Sequence, residues 1–241
     1  MAIRKQGKVI AIDGPAGTGK SSAARRLADV LGFVHVDTGA LYRAVALAAK
    51  RRGFSVKPQG TSWSPTEADE LTELAKSLHL EFRREPKRMP SNRVLCNSED
   101  VSDLIRTLEI SMLASSVSSI GGVRSALLGL QRRLGCQGNS ILEGRDIGTV
   151  VFPDADIKFF LEASVEERAK RRMIELEASG ADAPSFEDLK RQIESRDLAD
   201  RSRAVAPLRQ AQDAIAVDTT ALTLDEVVQA LETTVRSKVK I

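Results

Sequence analysis

Gly14-Pro15-Ala16-Gly17-Thr18-Gly19-Lys20-Ser21 is the stretch on which the reading of this chain turns. It fits Gly-x-x-x-x-Gly-Lys-[Ser/Thr], the P-loop pattern, and its surroundings fit as well. Upstream, Lys8-Val9-Ile10-Ala11-Ile12-Asp13 reads as a buried strand, and downstream Ser21 to Leu31 reads as a helix. Strand, glycine-rich turn and helix start are what phosphate binding requires. The glycines let backbone N–H groups approach an anion closely, and the helix N-terminus adds its dipole. Lys20 is placed to reach the β- and γ-phosphates of a nucleotide, and the Ser21 hydroxyl to ligate Mg²⁺. The motif names a phosphate donor. It does not separate a kinase from a GTPase, an ATPase motor or a repair ATPase.

Working outward, five short apolar runs read as buried parallel strands: Val9–Asp13, Val34–Asp37, Ile141–Glu143, Ile157–Leu161 and Ala214–Asp218. Four of them end in an acid, at Asp13, Asp37, Glu143 and Asp218. Carboxyl ends of parallel strands line the ligand crevice, so these acids are candidates for ordering Mg²⁺ and its waters, or for capping the next helix. Helical patterns separate the strands over Ser21–Leu31, Ala40–Arg52 and Ala68–Leu78, then over Ser102–Leu134 as two helices broken near Gly121-Gly122. Ser164 with Glu167, and Thr223 with Glu226, carry capping-box spacing. Alternating strands and helices argue for a layered α/β domain. Phe54 to Asp103 breaks the rhythm. An irregular lead-in with Pro58 and Pro65 precedes a short helix, and strands Leu80–Arg84 and Arg93–Cys96 flank a turn at Pro86, Lys87, Pro90, Ser91 and Asn92.

Composition narrows the class. The chain has 241 residues, 42% hydrophobic and 29% charged, with a net charge of +3. That is long enough for a substantial core, and too weakly basic to imply a nucleic-acid binder. Cys96 and Cys136 have no metal-ligand spacing and read as reduced thiols of a cytosolic protein; His35 and His79 read as structural. No apolar run approaches the roughly 18–20 residues that span a bilayer, and Met1 to Lys8 lacks the core of a signal peptide.

Three clusters bear on the phosphoryl acceptor. Asp37-Thr38-Gly39-Ala40-Leu41-Tyr42-Arg43 closes a strand and opens a helix, with Thr38 as the candidate N-cap. Glu143-Gly144-Arg145-Asp146-Ile147-Gly148 brings a cation and a carboxylate into the crevice just past a strand. Arg196, Asp200 and Arg203 are spaced i, i+4, i+7 and share one face of a predicted helix that also carries Arg201. Singly, each has a plain alternative: a helix cap, a turn with a surface ion pair, or a solvated helix face. Together they are what phosphoryl transfer between two substrates uses, because guanidinium forks bind phosphate bidentately and stabilise its shifting charge.

On these residues the chain resembles the bacterial cytidylate kinases, nearly end to end, from Ile12-Asp13-Gly14-Pro15 to Ala204-Val205-Ala206-Pro207-Leu208. The most specific pieces are the Asp37–Arg43 run, Gly144 to Ala155, and Asp200-Arg201-Ser202-Arg203. The resemblance implies an α/β P-loop NTPase fold, a three-layer sandwich with a five-stranded parallel sheet, a small NMP-binding insert and a short helical lid. It implies one domain over 1–241, with core 1–56 and 104–241, insert about 57–103 and lid about 178–203. ATP would be held by Gly14, Pro15, Ala16, Gly17, Thr18, Gly19, Lys20, Ser21 and Ser22, and Mg²⁺ by Ser21 with Asp37 or Glu143 through water. Cytosine would be read by Thr38, Ser115, Arg124 and Asp146. The CMP phosphate would meet Arg43, Arg145 and Arg203, and the sugar Arg196 and Asp200. Lys20, Arg145, Arg203 and Arg196 would carry catalysis, and Arg168 would lie near the donor base. The implied reaction is transfer from ATP to CMP or dCMP in pyrimidine metabolism, by a cytoplasmic monomer without nucleic-acid or membrane partners. The irregular stretch Lys57–Pro65 and an extra residue between Gly180 and Pro184 depart from the family pattern. A kinase for UMP, dTMP or shikimate, and an NTP-binding switch without an acceptor, are the competing readings. The arginines argue against the switch, which needs no second phosphate pocket.

Overall fold

The computed structural model describes residues 6–57, 61–84, 92–178 and 184–239, in two compact units. The first comprises residues 1–36 and 134–241, the second 37–133.

The first unit holds a five-stranded sheet of β1 (Val9–Asp13), β2 (Val34–Asp37, whose last residue opens the second unit), β6 (Ser140–Gly144), β7 (Ile157–Glu162) and β8 (Ile215–Asp218). Their order is β2-β6-β1-β7-β8, and β1 pairs in parallel with both β6 and β7. Every residue of β1 is buried, as its unbroken apolar run requires of a central strand. The chain leaves β1 for β2 on one side and reaches β7 on the other only later, so β1 ends at a topological switch point, where open parallel sheets bind ligands. Helices α1 (Lys20–Leu31) and α8 (Leu224–Lys238) pack Ala23, Leu27, Val227 and Leu231 against Ile10, Ile12, Ile141 and Phe159. Helices α6 (Val165–Ala178) and α7 (Phe186–Ser202) form a satellite pair on Ala169, Leu176, Leu189 and Ile193.

The second unit gathers α2 (Thr38–Arg51), α3 (Pro65–Ser77), α4 (Leu108–Val117) and most of α5 (Gly121–Cys136) with a small sheet. That sheet is antiparallel, in the order β3 (Leu80–Arg84), β4 (Asn92–Cys96), β5 (Glu99–Asp100). Pro65, expected in an irregular lead-in, instead occupies the first turn of α3, behind a full capping box of Ser64 and Glu67. Its missing N–H is an orphan there in any case. The two-residue turn Asn97-Ser98, with both φ values positive, folds β5 back onto β4. Arg93 is buried and ties this hairpin to Asp100 (2.8 Å) and Asp103 (2.9 Å). The helical stretch breaks as expected near Gly121-Gly122, α4 ending at Val117 and α5 beginning at Gly121. Gly122 also lies against α3, where a Cβ on it would lie 2.6 Å from Thr72 Cγ2. The expected turn at Pro86–Ser91, Pro58 in the expected lead-in, and residues 179–183 of the segment expected as a lid lie outside the described residues. Among the described residues, no single helix is long and apolar enough to cross a membrane.

Candidate active site

The Gly-rich loop runs from the end of β1 to the start of α1, and close packing explains its first glycine. Gly14 has φ +152°, and a Cβ there would press into the Leu161 carbonyl of β7. The N-cap of α1 is Gly19, which offers no side-chain cap, so the helix's first N–H groups are presented without a side-chain acceptor. Lys20, the first residue of α1, is buried and donates through Nζ to the Pro15 carbonyl at 2.9 Å. Burial lowers its ammonium to about 7; the charges of Arg145 and Arg196 act with burial, and Glu143 and Asp200 against it.

Beside Lys20, Ser21 donates from Oγ to Glu143 Oε2 at 2.6 Å, and His35 Nε2 lies 3.3 Å from Glu143 Oε1. Burial opposes the ionisation of Glu143, but the His35 contact, the Lys20 charge and the Ser21 bond outweigh it and hold the carboxyl below its ordinary range. Neither His35 nor the Ser21–Glu143 pairing is visible in linear spacing, because β2 and β6 become neighbours only in the sheet.

Arg145 leaves the end of β6 and donates from Nε to Asp200 Oδ2 at 3.0 Å. Asp200 is buried near the end of α7, and the charges of Arg145, Arg196 and Arg203 overcome the cost of its burial and lower its carboxyl. Arg203 was expected on the same helical face as Arg196 and Asp200, but α7 ends at Ser202 and Arg203 is its extended C-cap. It still returns to Asp200, with Nε on the backbone oxygen at 3.3 Å and Nη1 3.8 Å from Oδ1. Arg201 is exposed, 4.0 Å from Glu162. Thus, within the first unit, Lys20 lies beside the buried Glu143, and Arg145, Arg196 and Arg203 gather on the buried Asp200.

Arg168 is buried under the loop, with its guanidinium on the carbonyls of Ala163 (3.1 Å) and Ala16 (3.2 Å) and on Asp197 Oδ2 (2.6 Å). Those partners make it a support for the loop's shape. Arg171 and Thr219, which the sequence did not single out, complete that support. Arg171 Nη2 donates to the Thr219 carbonyl (2.6 Å), and Thr219 Oγ1 lies 3.0 Å from the Thr18 carbonyl. The acids ending the other strands are spoken for. Asp13 accepts from Ile147 and Gly148, and Asp218 from Thr220. Asp37, not Thr38, is the N-cap of α2, accepting from Ala40 N at 3.1 Å. Thr38 is buried one residue further in, as the first residue of the helix.

Thr38, Arg43, Ser115 and Arg124 belong to the second unit. Arg124 is buried on α5, with its guanidinium 5.3 Å from the centre of the Tyr42 ring and Nη1 on the Ser118 carbonyl at 3.3 Å. Ser118 in turn donates to the Ser115 carbonyl at 2.8 Å. Tyr42 therefore orients an arginine that the sequence singled out without naming its support.

The sequence matches the cytidylate kinase family over residues 10–237. A cytidylate kinase from Citrifermentans bemidjiense is 49% identical over 237 residues, covering 98% of this chain and 96% of that one. One from Syntrophotalea carbinolica is 48% identical over 223 residues, covering 92% and 89%. Among solved structures, a gluconokinase from Sinorhizobium meliloti aligns with TM-score 0.45 at 15% identity, over 98% of this chain and 95% of that one. With the match spanning nearly the whole sequence, the chain belongs to the cytidylate kinase family, and the protein is a phosphotransferase.

Proposed function

We propose that this enzyme transfers the γ-phosphoryl group of ATP to CMP, and to dCMP, giving the diphosphate and ADP in pyrimidine nucleotide metabolism. The observation that carries the reading is the convergence of Lys20, Arg145, Arg196 and Arg203 around Glu143 and Asp200 at the end of the Gly-rich loop. Four cations gathered at one loop suit two phosphate-bearing substrates better than one.

In this reading the loop from Gly14 to Ser22 holds the ATP phosphates, and Lys20 turns from the Pro15 carbonyl to the transferring group. The acceptor oxygen of CMP is already ionised at neutral pH, so no strong general base is needed; catalysis is in-line positioning and charge stabilisation. Arg145 and Arg203 flank the phosphoryl group, Arg43 holds the CMP phosphate, and Arg196 and Asp200 hold the sugar. Arg124 donates to the cytosine O2 and N3 edge, with Thr38 and Ser115 beside it. Asp146 accepts from the amino group and so rejects uracil, whose carbonyl would face the carboxylate. The segment about 57–103 serves as the acceptor-binding insert. The segment about 178–203 serves as a lid that excludes water while Arg196 and Arg201 close over the site.

Magnesium fits the residues present. The Ser21 hydroxyl and the ionised Glu143, 2.6 Å apart, are hard oxygen donors of the kind it accepts alongside phosphates and water. Ser21 would hold the ion directly and Glu143 through water; when bound, it would neutralise charge on the phosphates. The Asp37 carboxylate, which caps α2, is the weaker candidate. The enzyme is proposed to work as a cytoplasmic monomer on small molecules.

The test is a coupled ADP-release assay across CMP, dCMP, UMP, dTMP and AMP. CMP is expected to exceed UMP by at least tenfold in kcat/KM. A smaller margin overturns the substrate assignment, and ATP turnover indifferent to every acceptor overturns the kinase reading.

A further inference from the structure

His35 stands in an otherwise apolar run, Phe33-Val34-His35-Val36, whose last three residues lie on the short strand β2. Its imidazole is nonetheless mostly buried, with 11% of the side chain exposed, and Nε2 lies 3.3 Å from Oε1 of Glu143. Burying an imidazole costs free energy unless its nitrogens find partners, and Glu143 supplies one. Glu143 is the penultimate residue of the neighbouring strand β6, is buried and is held ionised. An ionised carboxylate only accepts, so the His35 nitrogen is the donor in this pair. On its other oxygen, Oε2, the same carboxylate takes the Ser21 hydroxyl proton at 2.6 Å. Strand β2 through His35, strand β6 through Glu143 and the first turn of α1 through Ser21 therefore meet at one carboxylate, and all three residues belong to the first unit.

A hydroxyl that directs its proton to a carboxylate keeps its lone pairs for a cation. Where the Ser21 proton points depends on where Glu143 stands, and His35 holds the oxygen that Ser21 does not use. We infer that His35 is a positioning residue for magnesium binding: through Nε2 it fixes the Glu143 carboxylate, and through that carboxylate it orients the Ser21 hydroxyl. This rests on the reading of Ser21 and Glu143 as the residues that hold Mg²⁺. Lys20 does not duplicate the role, since its Nζ donates to the Pro15 carbonyl and acts on Glu143 by charge. Groups that orient the residues around a metal ordinarily change its affinity by roughly ten- to a hundredfold.

The experiment measures calorimetrically the affinity for β,γ-imido-ATP, which is not turned over, once with Mg²⁺ and once with EDTA. The ratio of the two affinities is the gain due to the ion. Wild type is compared with His35→Phe, His35→Gln, Ser21→Ala, Glu143→Gln, the double variant His35→Phe/Glu143→Gln and the strand control Val36→Ala. His35→Phe is expected to remove most of the gain, a loss of about tenfold, while its affinity in EDTA stays within about threefold of wild type. His35→Gln, which still offers an N–H to Glu143, should restore most of the gain. The double variant should lose little more than Glu143→Gln alone, because His35 acts through that carboxylate. An undiminished gain in His35→Phe, an equal loss of affinity in EDTA, no restoration by His35→Gln, or the same loss in Val36→Ala overturns the inference. Should His35→Phe fail to fold, His35→Leu is read by the same criteria. A wild-type gain that is absent, or that survives both Ser21→Ala and Glu143→Gln, overturns the magnesium reading and this inference with it. A gain that those two variants remove and His35→Phe leaves intact overturns the inference alone.

Discussion

Lys20 illustrates how one side chain is set by competing terms. Its burial and the neighbouring Arg145 lower the ammonium to about 7, so near neutrality the ligand-free enzyme holds it partly uncharged. A bound triphosphate restores favourable charge and raises it again. kcat/KM for ATP should therefore fall as pH rises through about 7, while kcat holds to higher pH. A pH–rate series read in both parameters checks this, and Lys20→Arg should remove the limb. The same shift has a sign for stability. The folded lysine loses its proton more readily than the unfolded one, so a penalty is fully present below about 7 and fades as pH climbs toward 10.5. Lys20→Met should accordingly raise unfolding free energy at pH 6, by about 2 kcal/mol, while abolishing turnover. Urea titration of the variant at pH 6 and pH 9 tests it, and the gain should shrink at the higher pH. Asp146→Asn should narrow the CMP/UMP ratio at least tenfold, since only the acid makes uracil unwelcome; the monophosphate panel reads that directly.

At the scale of elements, caps and crossings carry the argument. The last helix opens with a reciprocal capping box, Thr223 and Glu226. Thr223→Ala should cost about 1 kcal/mol in chemical denaturation and leave kinetics unchanged. The α3–α5 crossing depends on Gly122, whose missing side chain admits Thr72. Gly122→Ala should destabilise by about 1–3 kcal/mol through overpacking. Thr72→Gly should recover much of that loss, a non-additivity that a denaturation double-mutant cycle measures. Capping boxes and strands were legible because they are local: a hydroxyl three residues before a glutamate, or an unbroken apolar run. The third strand of the small sheet was not, because Asn97-Ser98 lacks the glycine that advertises a two-residue hairpin and Glu99–Asp100 is too short to show alternation.

For the whole molecule, ligand linkage gives the measurable consequence. CMP present at about 100 times its Kd should raise unfolding free energy by about 2.7 kcal/mol, and UMP at the same concentration by much less. Thermal unfolding with each monophosphate checks this without turnover. By itself the sequence determined the α/β order, the five strands (of which the edge strands β2 and β8 are partly exposed, not buried as expected), the Gly-rich loop and the identity of Lys20, Arg145, Asp146 and Asp200 as the residues to watch. Such features are written in short-range spacing, where sterics, helix period and strand burial act over a few positions. Only the tertiary structure decided what each acid does. Asp13, Asp37, Glu143 and Asp218 look alike as strand-ending acids, yet they respectively cap a distant turn, cap α2, hold Ser21 with His35, and close a local turn. A carboxylate takes whichever donors lie within hydrogen-bond reach, and for Asp13 and Glu143 those donors arrive from a distant turn, a helix and a neighbouring strand only when the sheet assembles.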